Sequence, residues 1–340
     1  MKAWKKFWQK NKDRKIYIVA VVLCFVVTLC SICIGAANLT LSQLWEAICS
    51  GVNGGGMSGT IFWLIRLPRT AGCLLAGAGL AVAGVVIQGV LANKLASPSI
   101  IGVNAGAGVA VAICCACGAI SGWIVAGASF AGALFAVLLV SFAAQKLNAS
   151  RTTVILGGVA VNSFLNAMSE TIRTLIPEAG VMSSEFRVGG FASVSYLRLI
   201  PAGILIIIGL VVLFSLHNEL DLMNLGEETA QGLGLSVKKM RTIFLMLAAL
   251  LAGASVSFAG LLGFVGLIIP HMVRRMVGSE NKKLLPLCAL FGASFVTLCD
   301  LLARVLFAPY EIPVGILMSF IGGPFFIWLL LKKKGGRVHD

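Results

Sequence analysis

Residues 260–274 read GLLGFVGLIIPHMVR. The stretch is apolar enough to enter lipid, yet it holds three glycines, a proline and a histidine and ends on arginine. Solubility in a bilayer demands none of these. The pattern predicts a short, irregular, closely packed membrane helix that meets the cytoplasmic surface at His271 and Arg274. Pro270 interrupts it, and broken backbone at membrane depth is tolerated only where other protein buries it.

Composition extends the reading to the whole chain. Of 340 residues, 59% are hydrophobic and 12% charged, where soluble domains carry about 25% charged residues. An all-α polytopic membrane protein follows, with residues 1–340 forming one membrane domain. The 39 glycines suit helices that pack closely in lipid. The net charge of +14 lies in short loops between apolar segments, which excludes a nucleic-acid partner. Nine of the ten cysteines fall in apolar runs and read as small packing residues; Cys49 alone is placed in a loop. The basic N-terminus is followed by an apolar run over 16–36, long enough to cross a ~30 Å hydrocarbon core and read as a retained first helix.

Helices are expected near 16–36, 68–91, 100–119, 122–144, 152–172, 197–216, 242–260, 263–277, 284–307 and 312–332, about ten in all. With the N-terminus inside, the even-numbered joints carry Lys94; Lys146 and Arg151; Lys238, Lys239 and Arg241; Arg274, Arg275, Lys282 and Lys283; and the tail with Lys332, Lys333, Lys334 and Arg337. The odd-numbered joints carry Arg66, Arg69, Arg173 and Arg187. This asymmetry places both termini in the cytoplasm. Two joints are long enough for structure of their own. One, near 173–196, is external. The other, near 218–241, is internal and holds a short helix that starts at Glu227 and Glu228, where acids suit the helix dipole, and is broken by Gly232 and Gly234.

No GxxxxGK[ST], HExxH or GxSxG occurs, so the chain lacks the common phosphate loop, zinc and nucleophile-elbow signatures. His217, His271 and His339 are far apart, and no metal site is expected. Asp300 and Arg304 are four apart on one helix and can pair; Glu170 and Arg173 sit near a helix end. Asn162, Ser163 and Asn166 give the fifth helix a polar strip, which either lines a water-filled path or bonds neighbouring helices. Gln88 and Asn93 flank the inner end of the second helix.

Taken together, the motifs resemble the FecCD-type permeases, membrane subunits of bacterial ATP-binding-cassette importers for iron–siderophores, haem and vitamin B12. The resemblance rests on Arg66-Leu-Pro-Arg69; Gln88 with Asn93-Lys-Leu-Ala-Ser-Pro98 and Gly102; Ala230-Gln-Gly-Leu-Gly234 with Arg241; Gly263-Phe-Val-Gly-Leu-Ile-Ile-Pro270-His271 with Arg274; Asp300 with Arg304; and Ile312-Pro313-Val-Gly315 with Gly322-Gly-Pro-Phe325. Lys94 stands where the family usually has proline.

The resemblance implies ten helices per subunit in the bacterial cytoplasmic (inner) membrane. It implies a second permease subunit, ATPase subunits that hold the ATP and Mg²⁺, and a periplasmic or lipid-anchored substrate-binding protein. No cofactor is expected in this chain. Glu227, Glu228, Gln231, Gly232 and Gly234 are expected to couple to the ATPase. Arg66, Arg69 and Arg304 are expected to face carboxylates of the binding protein. Asn162, Ser163 and Asn166 are expected along the path, with Ala160, Ala167 and Ser169 as its small-residue wall. The expected cargo is an iron–siderophore, with cobalamin or haem as the alternative. An ion-coupled carrier acting alone is a weaker rival, and a membrane-embedded enzyme weaker still, because no acid, base and nucleophile set is present.

Overall fold

The structure, a computed structural model, describes residues 2–35, 40–54, 56–119, 121–146, 151–308 and 310–334. No strand occurs among the described residues. The first part of the chain runs α1 (Lys2–Cys33), α2 (Leu41–Gly54), α3 (Gly56–Thr60), a π-helical turn (Ile61–Arg66) and α4 (Leu67–Val90). A 3₁₀ turn (Pro98–Ile101) precedes α5 (Val103–Ala116), α6 (Gly122–Lys146) and α7 (Arg151–Leu175). Two short helices follow, α8 (Pro177–Met182) and α9 (Ser184–Val188), then α10 (Tyr196–Ser215), α11 (His217–Asn224) and α12 (Glu227–Gly232). The chain closes with α13 (Val237–Ala259), α14 (Val265–Val277), α15 (Asn281–Val305) and α16 (Val314–Lys334).

A helix lies in each of the ten expected apolar segments. Among the described residues six helical spans are long and apolar enough to cross a membrane, and shorter apolar helices cover 103–116 and 314–329. Three expectations need correction. The first helix starts at Lys2 rather than near residue 16, because no glycine or proline stops it on the basic side. The joint before α4 is not a plain loop but holds α2 and α3, and Cys49 is therefore helical. The side chains of Lys146, Arg151, Lys332, Lys333 and Lys334, and all of Arg337, lie outside the described residues.

Burial sorts the helices. In the span that contains α4, 83% of the most apolar window is buried, against 17% in α1. Thus α4 is the axis of the bundle, while α1 turns Val22, Phe25 and Val26 outward, as a lipid-facing helix should. Glycine lets the axis take its neighbours at backbone distance. A methyl at Gly77 would overlap the Gly292 carbonyl of α15, and one at Gly84 would overlap the Gly266 carbonyl of α14. Gly106 of α5 and Gly132 of α6 meet in the same way.

Polar contacts define two ends of the bundle. At one, the start of α15 meets α1: Lys283 pairs with Asp13 at 3.0 Å, and Tyr17 donates to the Lys283 carbonyl at 3.3 Å. The α11–α12 segment lies at this end too, since Asp221 Oδ1 accepts both the Asn281 backbone N–H at 3.0 Å and its side-chain amide at 2.8 Å. At the opposite end α4 and α10 begin, and α7, α13 and α15 finish. There the backbone of the α9 loop is stitched to two others. Leu261 N–H donates to the Phe186 carbonyl at 2.9 Å, Gly190 N–H to Ala259 at 2.8 Å, and Gly315 N–H to Gly189 at 3.2 Å. Gly260 serves this seam with φ +69 and no room for a side chain beside Phe186.

Gly84→Ala should lower the thermal midpoint of the purified protein in detergent, because overpacking costs about 1–3 kcal/mol. Gly108→Ala, at a site with nothing within 4 Å, should leave it unchanged. Equal midpoints for the two variants would contradict the close helix approach.

Candidate functional site

At the end where α4 begins, three arginines and one aspartate lie almost wholly inside: Arg66, Arg69, Arg304 and Asp300 are 3%, 6%, 2% and 1% exposed. Arg69 grips Asp300 with a fork, Nε at 3.1–3.2 Å and Nη2 at 3.0 Å, and its Nη1 donates to Glu311 at 2.7 Å. Arg304 takes the same carboxylate through Nε at 3.0 Å. Its Nη2 donates to Ser31 Oγ at 2.8 Å, and that hydroxyl meets Thr70 at 2.9 Å. Arg66 donates to the carbonyls of Ile32 and Cys33 at 2.9 and 2.6 Å, which closes the end of α1. A charge this deep survives only with its hydrogen-bonding capacity met.

The structure places Arg66, Arg69 and Arg304 inside the bundle rather than on its surface. None presents an open guanidinium to a partner in this structure; each is turned inward and already paired. The expected Asp300–Arg304 pair is present, but local spacing could not reveal Arg69, which lies 231 residues from Asp300, nor Glu311.

At the other end, Gln88 joins α4 to α14. Its amide donates to the Gly266 carbonyl at 3.0 Å, and its carbonyl oxygen accepts from Arg274. Arg274 therefore folds back into the protein, against the expectation that it reaches the surface. Arg275 is the residue that turns outward, over the Trp328 ring at 5.3 Å. His271 is half-buried too, edge-on to Phe325 with ring centres 6.0 Å apart; its Nε2 is buried with no partner among the described residues.

The remaining motif residues shape turns. Asn93 Oδ1 accepts the Leu95 N–H at 3.0 Å, which makes the bend without the family's proline. Pro98 opens the 3₁₀ turn, Gly102 ends it at φ +97, and the Pro313 carbonyl accepts the Ile316 N–H at 3.0 Å as α16 starts. Pro270 lies buried inside α14. Phe264 caps α14 with φ +66, an unusual conformation for a bulky residue. Its ring fills the notch at Gly322 of α16.

The polar strip on α7 divides. Asn162 donates to the Ser99 and Ile100 carbonyls at 2.7 and 3.0 Å, so it bonds helix to turn. Ser163 and Asn166 stay exposed, with Ala160 and Ala167 beside them. Ser169 is buried against the Gly108 carbonyl and is not part of that face. At the head of the strip, Glu170 accepts from Arg173 at 2.8 Å and Arg187 at 3.5 Å.

The α11–α12 segment is a small shelf. Ala230 is buried, while Glu228, Gln231 and Gly232 are exposed. Leu225 and Leu233 are each 60% exposed. Glu227 pairs with Arg241 at the start of α13. Gly226 at φ +107 and Gly234 at φ +86 bracket the shelf, in backbone geometry that favours glycine.

Comparison with known proteins agrees with this architecture. The sequence model of the FecCD transport family matches residues 23–332. The Fe(3+)-citrate import system permease protein YfmE of Bacillus subtilis is 34% identical, over 95% of this chain and 96% of its own. The hemin transport system permease protein HmuU of Yersinia pestis is 31% identical, over 93% and 95%. A solved chain described as an inward-facing conformation of a metal-chelate type ABC transporter superposes with a TM-score of 0.84, at 29% identity, over 94% of this chain and 99% of the other.

Asp300→Asn should cost about 3–5 kcal/mol, because it strands two buried guanidinium groups. Glu311→Gln, at the rim of the cluster, should cost clearly less. Thermal unfolding of both variants side by side checks the order; a benign Asp300→Asn would refute the central role of that carboxylate.

Proposed function

The chain belongs to the FecCD transport family, and from that premise we propose how it serves as the membrane permease subunit of an ATP-driven importer. It is a multi-pass membrane protein and not itself the ATPase. In our reading ten helices cross the bacterial cytoplasmic membrane and both termini are cytoplasmic. The distribution of cations supports this. Lys238, Lys239, Arg241, Arg275, Lys282 and Lys283 gather at the α11–α12 end, whereas at the other end Arg66, Arg69 and Arg304 are buried, Arg173 and Arg187 share Glu170, and Arg198 stands at the start of α10. An excess of Lys and Arg in the joints marks the cytoplasmic side.

The observation that carries the mechanism is the shelf. Glu228, Gln231, Gly232 and Leu233 stand exposed beside the buried Ala230, on a segment bonded at both flanks to long helices: Asp221 to the head of α15, Glu227 to the head of α13. An ATPase subunit that seats this shelf would move two membrane helices together. ATP and Mg²⁺ sit on that partner. A second permease subunit, the same chain or a related one, completes the passage. Ser163 and Asn166 of α7 line it, and Asn162 holds the helix in place. The binding protein docks on the α8–α9 face, and displacement of Glu311 would first be needed to free Arg69. The cargo is a ferric chelate, in keeping with the Fe(3+)-citrate and metal-chelate proteins named above.

Proteoliposomes holding the permease, its ATPase and its loaded binding protein should take up a radiolabelled ferric chelate only with ATP. Uptake by this chain alone, driven by an ion gradient, would overturn the reading. Within that assembly, Glu228→Lys with Leu233→Ala should weaken ATPase association about tenfold, the effect of roughly 1.4 kcal/mol. Co-purification at several salt concentrations measures it, and unchanged association would remove the shelf from the coupling.

A further inference from the structure

A cavity of about 210 Å³ lies between the end of α5, the α9 loop, the start of α10 and the end of α13. Val111, Met182 and Phe258 give it an apolar wall. Two charged residues also line it, Glu185 of α9 and Arg198 of α10. Neither makes a side-chain hydrogen bond or an ion pair with any described residue. Arg198 is partly buried. Its guanidinium lies over Gly122, the first residue of α6, where a methyl group would overlap it. The start of a helix carries partial positive charge, so this cation stands where cations are disfavoured and no carboxylate answers it. Glu185 and Arg198 line the same cavity without pairing with each other.

We propose that this cavity binds a small zwitterion of the α-amino-acid class. The ligand's carboxylate would take the Arg198 fork, which matches carboxylate geometry, with the α6 terminus adding to the attraction. Its ammonium group would face Glu185, and an apolar side chain would rest on Val111, Met182 and Phe258. The site does not depend on the transport reading. Its position gives it a consequence, however. The loop that carries Glu185 is the one bonded through Phe186 to Leu261 and through Gly189 to Gly315 at the head of α16. A ligand that ties this loop to α10 stiffens the seam on which α16 starts.

The test uses the full-length purified chain in nanodiscs. L-leucine, leucinamide and 4-methylpentanoate serve as zwitterionic, cationic and anionic probes, with binding read by calorimetry and thermal shift. L-leucine should bind saturably and at least about tenfold more tightly than either single-charge probe, a difference of about 1.4 kcal/mol. Arg198→Gln and Glu185→Gln should each remove that preference without changing the ligand-free midpoint, and Arg198→Lys should keep part of it. Three results would overturn the proposal: no saturable leucine binding, 4-methylpentanoate binding as tightly as leucine, or full leucine binding by Glu185→Gln.

Discussion

Asp300 is the point on which the bundle turns. A lone carboxylate in a membrane helix is expensive, and here it is held between the guanidinium groups of Arg69 and Arg304. That arrangement joins α4 to α15, draws in the end of α1 through Ser31, and reaches the head of α16 through Glu311. Such a pair contributes more to specificity of arrangement than to net stability, since apolar packing could offset much of its desolvation cost. What it fixes is which helix ends meet.

The second polar node, Gln88 with Arg274 and the Gly266 carbonyl, stands at the other end of the same axis. Between the two nodes no side-chain hydrogen bond links α4 to α14 or α15 among the described residues; bare glycine faces bring the backbones together. A bundle built this way is stiff along the axis and tightly pinned at its ends. Helix α15 runs the length of that axis, from the Asp221 contact beside the α11–α12 segment to Asp300.

Much of this was legible in the chain. Apolar run lengths located the helices, and the acids Glu227 and Glu228 marked the start of α12. The Asp300–Arg304 pair followed from spacing. What escaped was long-range or locally ambiguous. Arg66 and Arg69 read as surface cations because each stands at the edge of an apolar run, and nothing nearby in sequence names a partner 231 residues away. One signal was available: an acid deep in an apolar run requires cations, and Asp300 could have been asked for more than Arg304. The α2–α3 region resembles a loop in sequence because residues 50–60 are rich in glycine and serine. Helical spacing places Asn162, Ser163 and Asn166 on one face without saying which of them finds a backbone carbonyl.

The span between Arg69 and Asp300 also bears on how the protein is made. Ribosomes add roughly 5–20 residues per second. Helix α4 must therefore enter the bilayer, or wait beside the insertion machinery, for roughly 10–50 s before its anionic counterpart has been synthesised. During that interval the most buried helix carries Arg69 without the carboxylates that pair with it in the finished fold. Biogenesis of this chain thus favours a chaperoned or deferred release of the early helices, with the final third of translation closing the assembly.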